Sequence, residues 1–224
     1  MASAPNGIPG AAGAGALLLA CAAAQGTAAH PWPSNPELLK SEDSARSLAD
    51  AIHLLCILHG RYPGVIDHAA LRVVEPGARA WLARASYAFA GERAYIARLA
   101  VAAGPVPGTP GAAGSDSTVL SQRHAIEMLA QSERNGCALG AAMGLVLDWA
   151  SVRTALDAAA RRFGVEPPPY AAGDAEAAAD AADSFAVSPA AQRALLFGAE
   201  QVLVQHHGLW DLIEARHQAR AAAA

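Results

Sequence analysis

The sequence predicts an all-α protein: an antiparallel bundle of four long helices with short accessory helices. Three observations predict it. The chain has 59 alanines in 224 residues, and alanine is the best helix former and a poor strand former. Prolines and glycines cut the chain into a few long segments. Within those segments apolar residues recur at alternating spacings of three and four, the stripe of an amphipathic helix. The length suits one domain with an appendage.

The elements follow in order. Residues 1–34 read as a flexible N-terminal segment, with Gly and Pro scattered through residues 5–15 and a short helix over Ala14–Gln25 ending at Gly26. The run His30-Pro31-Trp32-Pro33-Ser34-Asn35-Pro36 is a rigid connector whose Trp32 anchors the arm. Residues 35–224 form the bundle domain. Its first long helix spans residues 37–59 and stops at Gly60, with Pro63 close behind. A shorter piece over residues 66–74 precedes Pro76, and a second long helix covers residues 77–103. The loop 104–117 holds three prolines and four glycines, and Ser115, Asp116 or Ser117 caps the next helix. That helix covers residues 118–163, with a break near 148–151, and Pro167-Pro168-Pro169 closes the region. Residues 171–184 are an acidic, alanine-rich minor helix. Ser188-Pro189 supplies a cap and a first-turn proline for the last helix, which runs to about Arg220. The tail 221–224 is expected to fray.

Charge and motifs exclude several functions. The net charge is −4, and Lys40 is the single lysine against fifteen arginines. Nucleic-acid binders cluster positive charge to neutralise phosphates, so none is expected as a partner. Three cysteines, Cys21, Cys56 and Cys137, without a C-x-x-C, argue against a disulfide framework and favour a cytoplasmic setting. The apolar stretch Ala11–Ala24 resembles a leader but lacks a basic start, since nothing positive precedes Lys40; export of an atypical leader over residues 1–29 is the alternative. No run reaches the length of a membrane span. Phosphate-binding loops, dinucleotide fingerprints, zincin and nucleophile-elbow motifs are absent.

Each helical stripe is interrupted by one ionisable residue: His59, Glu92, Glu133 and His206. A charge on a buried face needs a partner or a metal. Two carboxylates and two imidazoles suit Fe, Mn or Zn. Counting the rise along each helix puts Glu92, Glu133 and His206 in one layer and His59, at the end of its helix, at another level. The simpler alternative is that these residues pair with arginines such as Arg93 or Arg134 and fix register. Gly136, Gly140 and Gly144 form a ridge for close helix contact, within the chain or between copies. His207 and Asp211, one turn apart, could hold a metal or orient an imidazole. His53, Cys56 and His59 have zinc-ligand chemistry but spread over too much helix surface. The turn His59-Gly60-Arg61-Tyr62-Pro63-Gly64, with Asp67 and His68 after it, carries reactive side chains on a loop.

Two resemblances accompany these residues. The Glu/His stripes have a loose architectural similarity to ferritin-like di-iron bundles, which implies a metal centre. The Glu-x-x-His motif of those proteins occurs here only as Glu214-Ala-Arg-His217, near the C-terminus. The passages Ala51–Arg61 and Gln205–Asp211 make the chain look like an uncharacterised bacterial family of unknown function, which implies no activity. The expected function is a soluble helical bundle that is not an enzyme and acts through protein contacts or self-association. The alternatives are a metal-binding bundle and a bundle binding a small apolar ligand between its helices. No catalytic residue is predicted, and no cofactor beyond the alternative Fe, Mn or Zn.

Overall fold

A computed structural model of the chain describes residues 12–41, 44–109 and 112–223. Among these residues there are nine α-helices and no strand. They are α1 (Ala14–Gln25), α2 (Pro36–Leu39), α3 (Ala45–His59), α4 (Val65–Arg72), α5 (Pro76–Ala103), α6 (Ala112–Ala130), α7 (Cys137–Phe163), α8 (Ala175–Phe185) and α9 (Pro189–Ala222). None of them is long and apolar enough to cross a membrane. The expectations for the first eleven residues, for Glu42 and Asp43 of the helix expected over 37–59, for Pro110 and Gly111 of the long loop, and for Ala224 lie outside the described residues.

Helix starts follow local chemistry. Asn35, Glu75 and Ser188 each accept a backbone N–H of the first turn, and each is followed by a proline that needs no hydrogen-bond partner there. The helices expected at 77–103 and after Ser188 therefore stand where the caps put them. The span 37–59 divides: α2 is a single turn that ends at Lys40, and α3 begins only at Ala45. The span 118–163 also divides, and not near 148–151. The break is at residues 131–136, where Gly136 takes φ +106°, a left-handed conformation that a side chain disfavours. Asp148 to Ser151 lie inside α7. At its other end α6 begins at Ala112, so Ser115, Asp116 and Ser117 are helical residues and not caps.

The packing is organised around α7. Every residue from Cys137 to Val146 is buried, and α7 touches α1, α3, α4, α5, α6, α8 and α9. A helix that is apolar on all sides belongs in the middle of a protein. That arrangement differs from four equivalent helices that each present one face. The glycine ridge is a seam within the chain. A Cβ on Gly140 would collide with the Leu195 carbonyl, one on Gly144 would lie 2.9 Å from the Ala199 backbone, and one on Gly198 of α9 would strike the Cys137 carbonyl. Helices α7 and α9 thus approach backbone to backbone. On the other side, α1 lies against α8 and α9, and the Gly15 N–H donates to Asp183 Oδ1 at 2.8 Å. Leu18, Thr27, His30 and Trp32 are buried, so the arm from Ala14 onward packs on the other helices.

Candidate functional site

A chain of hydrogen bonds runs through the core from the N-terminal arm to α3. The Trp210 indole N–H donates to Thr27 Oγ1 at 3.0 Å. The Thr27 hydroxyl donates to Asp148 Oδ2 at 2.5 Å, and the Thr27 backbone N–H donates to Asp148 Oδ1 at 2.6 Å. His206 Nδ1 lies 2.6 Å from Asp148 Oδ2, and His206 Nε2 lies 2.7 Å from His59 Nε2. All five residues are buried.

The donors and acceptors constrain this relay. An ionised carboxylate only accepts, so His206 carries a proton on Nδ1. One proton lies between the two Nε2 atoms: His59 donates it when His206 is neutral, and His206 donates it when His206 is charged. The surroundings favour a neutral His59. Burial, the neighbouring His206 and the Arg93 charge hold the His59 pKa well below 6.5. Trp149 stands edge-on to His59 with ring centres 5.6 Å apart, and Phe89 packs against Trp149 at 4.8 Å. These rings lock the His59 side chain in place.

His59 also forms part of the wall of a cleft of about 40 Å³. The turn after α3 builds one side with Arg61, Pro63 and Gly64; α4 adds Ile66 and His68; α5 adds Phe89 and Arg93; α6 adds Arg123, Ile126 and Glu127. Arg93 is held by Asp67, with Arg93 Nη1 3.1 Å from Asp67 Oδ2. Asp67 also accepts from the Gly64 N–H at 2.8 Å and the Ser86 hydroxyl at 2.5 Å. The reactive residues of the His59–Gly64 turn are thus gathered around the outer end of the relay.

Two further buried polar clusters end in ion pairs. Glu92 accepts from Arg153 Nη1 at 2.7 Å and from the Trp149 indole N–H at 2.9 Å. Arg153 stacks over the Tyr95 ring and reaches Asp157 and the Pro168 carbonyl. Burial and the Asp157 carboxylate push the Tyr95 phenol upward, and burial pushes the nearby Tyr170 phenol up to about 12. On the opposite flank Asp50 binds Arg216 Nη2 at 2.8 Å and also Arg220, joining α3 to α9.

The structure separates the four stripe residues. It brings His59 and His206 into contact, which corrects the assignment of His59 to a different level; α3 ends where α9 passes the middle of α7. Glu92 lies one tryptophan away, paired with Arg153 and not with Arg93 or Arg134. Glu133 sits in the turn between α6 and α7 with its side chain 93 % exposed, 3.4 Å from Arg72; the break at Gly136 takes it off any buried stripe. His53 bonds the Gly104 carbonyl at 2.9 Å and does not join Cys56 and His59.

His207 and Asp211 do meet a third group. His30, His207 and Asp211 each place a ligand atom within 4.8 Å of the others, the one set of three metal-ligand types so grouped among the described residues. The hydrogen bonds of His30 oppose a metal there. Its Nδ1 accepts the Trp32 N–H at 3.0 Å, so the ring proton is on Nε2, where it faces Asp211 Oδ1 at 3.0 Å. A metal on Nε2 would move that proton to Nδ1 and break the bond to Trp32, whereas metal-binding imidazoles normally donate through the other nitrogen. The set pins the Pro-rich connector to α9.

Sequence reasoning missed Asp148, Thr27 and Trp210. One signal was available: Asp148 is the lone carboxylate in the otherwise uncharged run from Cys137 to Val152. Fold and site together define an all-α protein with a buried acid–imidazole relay opening on a small cleft. The chain belongs to a family of unknown function, DUF6975, whose model matches residues 22–221. No curated protein and no solved structure matches it.

Proposed function

We propose that the protein binds a small polar molecule in the cleft beside His59, with His59 as the group that exchanges a proton or hydrogen bond with it. The observation that carries this reading is the buried hydrogen-bonded path Asp148–His206–His59 ending at a cleft. A carboxylate behind an imidazole fixes its tautomer and stabilises its protonated form, the arrangement used in acid–base sites. Burying five polar side chains costs free energy that a purely structural tie would avoid by using Asp148 and Thr27 alone. The iron, manganese or zinc reading with Glu92, Glu133, His206 and His59 fares less well. A metal between His59 and His206 would have two protein ligands, and Glu133 would have to leave the surface. The test is nuclear magnetic resonance of labelled histidine rings during a screen of small polar molecules. The reading requires at least one molecule that shifts the His59 ring, with His206 following, and that loses its effect in Asp148→Asn. A screen in which only exposed histidines respond would refute it.

A second reading, action through protein contacts or self-association, is favoured by one surface. Val74 and Val187 are highly exposed beside a groove of about 640 Å³ that also includes Phe185 and Arg134. Sedimentation at increasing concentration tests self-association; an unchanging monomer would remove that part of it.

A further inference from the structure

We infer that the molecule taken by the His59 cleft is a small carboxylate, or the carboxylate end of a longer molecule; this rests on the reading of His59 given above. The charges around the cleft are unbalanced. Arg61, Arg93 and Arg123 face it from the turn, α5 and α6, against one lining carboxylate, Glu127, and against Asp67 just behind Arg93. Asp67 is saturated by Arg93, the Gly64 N–H and the Ser86 hydroxyl and has nothing to offer a second arginine. Arg123 is the least satisfied of the three: its Nε lies 3.3 Å from Glu127 Oε1 without a hydrogen bond. Its guanidinium is partly accessible on the cleft wall, the side chain being 26 % exposed, and a planar two-oxygen anion is the acceptor whose shape matches that fork. Arg61 is exposed at the mouth, where it can draw an anion inward.

Size and lining narrow the class. At roughly 10–15 Å³ for each enclosed water, about 40 Å³ holds around three waters, which is the bulk of a carboxylate with one or two carbons. The wall also holds Ile66, Phe89, Ile126 and Leu145, which suits a short alkyl group and no second charge. His59 and His68 are the imidazoles on the wall.

The test titrates the full chain with formate and acetate, replacing chloride at constant ionic strength, and reads the histidine ring signals and the binding heat. The inference expects saturable binding in the millimolar range that shifts the His59 ring. It expects at least a tenfold loss of affinity in Arg123→Gln, partial recovery in Arg123→Lys, and no change in Glu133→Gln. Equal binding by Arg123→Gln would overturn it. So would binding of the uncharged acetamide with no binding of acetate, an outcome that leaves the His59 reading standing. If neither acetate nor acetamide moves the His59 ring, the inference falls, and the broader screen described above decides the His59 reading separately.

Discussion

Two buried polar systems hold α9 in place, and they are built on opposite plans. At one end Asp50 is enclosed by Arg216 and Arg220, with Ser47 and Thr109 completing the shell. It joins α3, α9 and the loop before α6, and it borders no cavity described above. At the middle of α9, His206 takes part in a chain of hydrogen bonds that converge on Asp148, from Trp210 and Thr27 on one side and His206 on the other, and its His59 end opens on a cleft. Asp50 and Arg216 are as buried as the residues of the relay. The difference teaches that burial of polar groups does not by itself mark a site. The clamp leaves Arg216 Nε and Nη1 without hydrogen-bond partners, but no cavity described above borders them; the relay ends at a cleft that something else can fill.

The largest expected effect is on the clamp. Asp50→Ala leaves two guanidinium groups without their shared partner, and breaking a buried pair this way costs about 3–5 kcal/mol. Denaturant unfolding should show that loss while the His59 ring signals stay where they are, as long as the chain folds. Asp148→Asn should cost less, about 1–3 kcal/mol, because the amide keeps one acceptor oxygen but offers an N–H where Thr27 or His206 also donates. Here the ring signals of both His206 and His59 should change, which is how the relay separates from the clamp.

A smaller effect is visible only against pH. The pKa of His59 lies below its ordinary 6.5 in the folded protein. Unfolded chains therefore take up a proton first as pH falls, and stability is lost from about pH 6.5 downward at up to ~1.4 kcal/mol per pH unit for this group. Above pH 6.5 its contribution is complete. His59→Gln should flatten that part of the stability curve, measured as the unfolding midpoint between pH 5 and 8, while leaving the midpoint at pH 8 little changed. The smallest effect is the surface pair. Glu133→Ala should leave stability and histidine signals unchanged, since exposed ion pairs contribute little.

Much of the fold was legible because breakers and caps act locally. Asn35-Pro36, Pro76 and Ser188-Pro189 fix helix starts through atoms one turn away, and α1, α5 and α9 follow from the sequence to within a residue or two. The break between α6 and α7 was misplaced because Gly136 looks like one more member of a small-residue ridge; its left-handed backbone depends on the close approach of α9, a tertiary fact. The central place of α7 was under-read for a related reason. Its alanines and glycines form a stripe at any register, so the pattern did not reveal that all its faces are covered. The site was half legible. His59 and His206 stood out as polar residues on apolar stripes. Their partner Asp148 did not, because a carboxylate near Ser151 looked like a helix break. Thr27 carried no signal at all, since its role depends on the arm folding back across α7.

The most direct test of the relay is the long-range nitrogen–proton correlation spectrum of the histidine rings at pH 7.5. The relay requires a proton on His206 Nδ1, in a strongly downfield hydrogen-bonded resonance, and a neutral His59 that shares one proton with His206 between their Nε2 atoms. The His206 Nδ1–H signal should persist in His59→Gln and disappear in Asp148→Asn. A His206 without a proton on Nδ1, or a His59 that is charged at pH 7.5, would contradict the relay and the role assigned to His59.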